Sequence, residues 1–148
     1  MTKSLPPKHI MLYADDDPDD LLLVQEAFIH YSERVEIITA ANGFEAVAFL
    51  EGLKPLDPTP CLIILDVNMP RLNGKDALKE IRQMDRFKDT PVVLFTTSSM
   101  PIDSEYARKY GAGFITKPLD NRQMAKIADE FLDHCADEIR KYIKNKIN

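Results

Sequence analysis

Cys61-Leu62-Ile63-Ile64-Leu65-Asp66-Val67-Asn68-Met69-Pro70 sets an unbroken apolar run against a carboxylate, and the carboxylate against a turn. Five β-prone apolar residues bounded by turn residues have the pattern of a strand covered on both faces. Ligands of open α/β sheets collect beyond the ends of such strands, so Asp66 stands where chemistry is expected. A second acidic cluster has the same setting: Ile10-Met11-Leu12-Tyr13-Ala14 runs into Asp15-Asp16-Asp17-Pro18. Carboxylates gathered at strand ends repel one another unless a cation lies between them. A hard divalent ion with oxygen ligands, Mg2+, is the simplest neutraliser.

The 148 residues are expected to form one domain with its own core. A net charge of −5 and the lack of a long basic stripe argue against nucleic acid as the main ligand. Arg140, Lys141, Lys144 and Lys146 make the end of the chain locally positive, which suits a helix C-terminus. Cys61 and Cys135 lie in apolar segments without CxxC spacing and read as reduced core thiols. His9, His30 and His134 are isolated, so no zinc pattern can be drawn. Residues 1–7 lack the apolar core of a signal peptide, and no stretch has the length of a bilayer span. A cytoplasmic protein with no membrane partner is expected.

The pattern alternates strand and helix five times. Strands are expected near 9–14, 35–39, 61–66, 91–96 and 113–116, and helices near 18–31, 43–52, 74–84, 103–110 and 120–146. Residues 52–60, with three prolines, read as a surface connection. Met100 and Pro101 read as part of the loop after the fourth strand. Repeated βα units imply a parallel sheet with helices on both faces, a doubly wound α/β three-layer sandwich of the flavodoxin-like kind. The order 2-1-3-4-5, known from other open sheets of this class, sets the first and third strands side by side and brings Asp15 and Asp16 next to Asp66.

Two further strand ends complete the constellation: Pro91-Val92-Val93-Leu94-Phe95 ends in Thr96-Thr97-Ser98-Ser99, and Gly113-Phe114-Ile115-Thr116 ends in Lys117-Pro118. Singly, these are helix-end charges, caps and turns. Together, over about residues 8–135, they resemble the response-regulator receiver domain in order, spacing and strand-end placement. The resemblance implies that Asp66 is the phosphoacceptor and that Asp16 and Asp66 bind Mg2+. It further implies that Asn68 gives the metal its backbone carbonyl and that Asp15 acts through water. Lys117 would pair with the carboxylate and then with the phosphoryl oxygens, which the backbone N–H of Thr97 also reaches. Thr96 and Phe114 match the switch hydroxyl and switch aromatic, Gly74 the glycine that lets the acceptor loop turn, and Lys117-Pro118 a cis peptide.

The implied function is a phosphoacceptor that takes its group from a sensor histidine kinase or a phosphotransfer protein and then alters binding to a downstream target. It would be a signalling switch with self-catalysed transfer only. A phosphorylation-independent pseudo-receiver is the first alternative. An aspartyl-nucleophile phosphatase of the haloacid-dehalogenase kind is the second, but it needs a general acid where Asn68 stands. A flavodoxin-like FMN protein would need a phosphate loop where Asp15-Asp16-Asp17 would repel one. With nothing after the receiver read as an output domain, output by protein binding is expected. A single helix from 120 to 146 would overhang the sheet, leaving Ile139, Tyr142, Ile143 and Ile147 as an apolar stripe for a partner helix. That partner helix would come either from a target protein or from a second copy, the latter as a homodimer through that helix and the face of the fourth helix, fifth strand and fifth helix.

Overall fold

Successive side chains of a strand point to opposite faces, and in the computed structural model, which describes residues 8–145, both faces are covered. The strands β1 (His9–Ala14), β2 (Val35–Ala40), β3 (Leu62–Leu65), β4 (Val92–Thr96) and β5 (Gly113–Thr116) form one parallel sheet. Their order is β2-β1-β3-β4-β5, as expected. Met11, Tyr13, Leu62, Ile64, Val93 and Phe95 face one way. They pack against α1 (Pro18–Ala27) and the C-terminal helices α5 (Asn121–Met124), α6 (Ile127–Leu132) and α7 (Asp137–Lys144). Leu12, Ala14, Ile63, Leu65 and Leu94 face the other way, against α2 (Gly43–Glu51), α3 (Gly74–Gln83) and α4 (Pro101–Lys109). The whole of β3 is shut off from solvent, which is why its sequence shows no polar alternation.

The helix starts follow local chemistry. Asp17 caps α1 by accepting from the Asp19 N–H, with Pro18 in the first turn. Asn42 and Asn73 cap α2 and α3 in the same way. Pro101, expected in a loop, instead opens α4, where its missing N–H costs nothing. The first expected helix ends four residues early, at Ala27, and continues as a 3-10 turn over Ile29–Tyr31.

The expected single helix over 120–146 is three helices, and the expected overhang is not there. Ala136 has φ −57 and ψ 144, an extended conformation that re-aims the chain before α7. The turn folds α7 back so that Ile143 is fully buried and Ile139 and Tyr142 pack against the same core as Phe131. Arg34 fixes the end of α7 by donating to the carbonyls of Tyr142 (2.5 Å) and Asn145 (2.8 Å), with its guanidinium 4.7 Å from the Tyr142 ring centroid. The last carbonyls of a helix generally lack donors from its own turns, and a cation suits that end of its dipole. The stripe proposed for a partner helix is thus the domain's own packing, and Ile147 lies outside the described residues. Asp137 and Glu138, acidic residues of a first helical turn, are the sequence signal of the new start. Ile143→Ala is expected to cost about 2–3 kcal/mol in urea unfolding, whereas a residue on a solvated overhang would change stability hardly at all.

Cys61, just before β3, and Cys135, between α6 and α7, are both free and buried in this same core. The neighbouring Cys135 thiol, which donates to the Phe131 carbonyl, and burial together push the Cys61 thiol up.

Candidate phosphoacceptor site

Four strands end at one edge of the sheet, and each delivers a functional side chain there. Asp15 follows β1 and Asp66 follows β3, and their backbone N–H groups still donate to the carbonyls of Ala40 and Ala14 on the neighbouring strands. Thr96 closes β4, and Lys117 follows β5 with its N–H on the Thr96 carbonyl at 2.7 Å. Asp15, Asp66, Thr96 and Lys117 are all buried, while Asp16 is exposed at the mouth.

The Lys117 ammonium lies among three carboxylates, 2.7 Å from Asp15 Oδ2, 2.8 Å from Asp20 Oδ2 and 3.0 Å from Asp66 Oδ2. Asp15 is held further by the Tyr13 hydroxyl, which donates to Oδ2, and by the Asp17 N–H, which donates to Oδ1 at 3.0 Å. The Asn68 N–H donates to Asp66 Oδ1 at 3.3 Å. Burial raises the Asp66 carboxyl, Lys117 pulls it down, and Asp15 pushes it up again, so that it stands at about 6. Burial would lower the Lys117 ammonium, but hydrogen bonds to Asp15 and Asp20 and the charges around it hold it above the usual lysine range. Burial, reinforced by the Asp15 charge, likewise raises the Tyr13 phenol.

Asp15, Asp16 and Asp66 each offer a carboxylate oxygen within 4.8 Å of the others. The donor set is hard and all oxygen, and it carries more negative charge than Lys117 neutralises, so it fits a divalent cation such as Mg2+. The resulting pH dependence is testable without metal. Asp66 titrates at about 6 in the folded protein, well above its unfolded value, so between about pH 4 and 6 the folded state binds the extra proton. Its contribution to stability is therefore largest in acid and is lost as pH rises through 6. In chelator, Asp66→Asn should gain stability over the parent protein between pH 4 and 7, by about 1 kcal/mol after allowance for screening. Equal urea midpoints at both pH values would remove the burial argument.

The sequence reading placed Asp15, Asp16, Asp66, Thr96 and Lys117 at this edge, and all are there. Asp17 is a helix cap. Thr97 and Asn68 are exposed on the surrounding loops, and Phe114 is half-buried against the core layer of α2, α3 and α4. The Thr96 hydroxyl accepts from the Ser98 N–H at 3.2 Å, the Ser98 hydroxyl donates to Asp103 at 2.8 Å, and Asp103 binds Lys75 of α3 at 3.0 Å. The Lys75 ammonium holds the Asp103 carboxyl below the usual range in spite of its burial. Two expectations need correction. No peptide among the described residues is cis, so the Lys117–Pro118 bond is trans. Gly74 does not serve a turn: it opens α3, and a Cβ there would lie 2.0 Å from the Asp66 carbonyl oxygen.

Asp20 and Tyr13 were missed. Tyr13 is two residues before Asp15, on the same side of its strand, which is the spacing that lets them meet. Asp20 reads in sequence as ordinary first-turn acidity, and only the placement of α1 over the ends of β1 and β5 brings it to Lys117.

Residues 11–129 match the family model for the response regulator receiver domain. The chain belongs to the response regulator receiver family. The receiver is 41% identical over 98 residues to response regulator Rcp1 of Synechocystis sp., a match covering 65% of this chain and 66% of that protein. Among solved structures it is similar to the phosphorylated cyanobacterial phytochrome response regulator RcpA, with 29% identity and a TM-score of 0.75 over 84% of this chain and 93% of that one. It is also similar to the Mn(2+)-bound form of Rcp1, with 27% identity and a TM-score of 0.74 over 95% and 97%. The receiver spans 66%, 15% and 51% of the first three curated relatives it matches. No helix among the described residues is long and apolar enough to cross a membrane.

Proposed function

We propose that this receiver, acting as one domain, takes a phosphoryl group onto Asp66 from a sensor histidine kinase or a phosphotransfer protein and thereby changes its affinity for a downstream protein. The observation that carries this reading is the buried Lys117 ammonium held between Asp15 and Asp66, beside a cluster of three carboxylates at the strand ends. Asp16, Asp66 and the Asn68 carbonyl would hold Mg2+, with Asp15 acting through water. When bound, the ion would supply positive charge against which an anionic donor and a carboxylate can approach.

The chain's own residues do the rest. Asp66 offers an oxygen for in-line attack, and its other oxygen is steadied by the Asn68 N–H. Lys117 is close enough to exchange its Asp66 contact for a phosphoryl oxygen, and the Thr97 N–H offers a further donor. The phosphorus bond to the donor breaks as the bond to Asp66 forms, and the donor leaves with the electron pair. The Thr96 hydroxyl would then turn toward the phosphoryl group and give up the Ser98 N–H. That strains the link from Ser98 through Asp103 to Lys75 and carries the change to α4, while Phe114 takes the space left by Thr96. The face of α4, β5 and α5 is the surface this would alter for a target or a second copy.

The test is incubation with acetyl phosphate and Mg2+ followed by intact mass. A gain of one phosphoryl group that disappears in chelator is expected. No gain under any donor concentration leaves the phosphorylation-independent module as the better reading.

A further inference from the structure

An ammonium has three N–H bonds, and in this receiver three carboxylates surround that of Lys117 at hydrogen-bonding distance. Asp15 and Asp66 belong to the proposed metal and acceptor set. Asp20 does not: it stands outside the group of carboxylates that could share one ion. A favourable charge at a helix N-terminus would account for Asp20 as well as for its neighbour Asp19. Such a role does not call for a 2.8 Å contact with a buried lysine 97 residues away in the sequence. Asp20 is also the most accessible of the three partners, with 20% of its side chain exposed against 0% for Asp15 and 9% for Asp66, so it is the contact most easily released.

Charge gives this contact a direction. Four carboxylates, Asp15, Asp16, Asp20 and Asp66, gather at this edge, and one ammonium pairs with three of them, Asp15, Asp20 and Asp66. A phosphoryl group would add further negative charge at Asp66 and would compete for the same three N–H bonds. We propose that Asp20 is a positioning residue that draws the Lys117 ammonium toward α1 and opposes the phosphoryl group for it, setting how readily the receiver loads from an anionic donor. The inference rests on Asp66 being the acceptor. Asp20 forms no covalent bond; the phosphoryl group of acetyl phosphate passes to an Asp66 oxygen as its bond to the acetyl oxygen breaks, and acetate leaves with the electron pair.

The experiment compares the parent protein with Asp20→Asn, which keeps an acceptor for Lys117 but drops the charge, and Asp20→Glu, which keeps the charge. Acetyl phosphate is titrated at saturating Mg2+ with intact mass as the readout, and Mg2+ alone is titrated by calorimetry. Asp20→Asn is expected to lower the half-saturating acetyl phosphate by on the order of three- to fivefold while weakening Mg2+ binding by a similar factor. Both differences should shrink in high salt, and Asp20→Glu should stay within about twofold of the parent. The opposite signs matter, because a merely structural defect would weaken both. Asp20→Asn that leaves both unmoved or weakens both, or Asp20→Glu that behaves like Asn, overturns the proposal. Failure of the parent protein to take up any phosphoryl group would instead remove the reading on which it rests.

Discussion

Asp66→Asn is expected to abolish uptake from acetyl phosphate, a loss of more than about a thousandfold, with the protein still folded. Other carboxylates are close by, and the geometry explains why they would not substitute. Asp15 has a side chain that is 0% exposed against 9% for Asp66, and its Oδ2 carries two donors, Tyr13 and Lys117, so it presents no oxygen to an incoming donor. Asp16 is exposed, makes no ion pair with Lys117 among the described residues and would have its oxygens engaged by the metal, so it lacks the ammonium that stands beside Asp66. Asp66 alone combines an open side with the ammonium on one oxygen and the Asn68 N–H on the other. Intact mass of the variant, read after full uptake by the parent protein, decides the matter. Undiminished labelling of the variant would show that the acceptor lies elsewhere.

Gly74→Ala should lower stability by about 3 kcal/mol in urea unfolding, at an unchanged slope. The substitution would ordinarily help, since alanine favours a helix over glycine by about 1 kcal/mol. Here the new Cβ would meet the Asp66 carbonyl oxygen at 2.0 Å and its carbon at 2.8 Å, and both atoms are backbone. A flexible side chain could swing away, but a main-chain carbonyl can yield only by moving Asp66, the proposed acceptor. The clash therefore outweighs the propensity gain, and uptake at Asp66 should fall along with stability. A variant as stable as its parent would mean that the approach of α3 to the acceptor loop relaxes without strain.

The sheet and most of the site could be read in the sequence because each depends on local pattern. The apolar run before Asp66 and the alternation of strands with helices are periodic signals, and strand-end polar residues become neighbours once the order of the strands is known. The long-range packing was not legible. A stripe through Ile139, Tyr142 and Ile143 looks the same whether it faces a partner or folds back, and the difference lies in the backbone at Ala136 and in Arg34, more than a hundred residues away. Asp20 was hidden for a related reason. Its acidity fits the first turn of any helix, and its charge acquires a partner only through the placement of α1. Gly74 shows a residue rightly singled out for the wrong cause, since a tight turn and a close approach call for the same amino acid.

The two buried thiols in the core give the molecule a pair of internal clocks. A soluble alkylating reagent can reach neither sulfur while the native packing holds, because both are buried. Cys135 lies where α6 hands over to α7, so peeling away the last helix uncovers it, whereas Cys61 adjoins the central strand β3 and opens only when the sheet itself comes apart. The labelling rate of one thiol therefore measures the fraying of the C-terminal helix, and that of the other the lifetime of the whole fold.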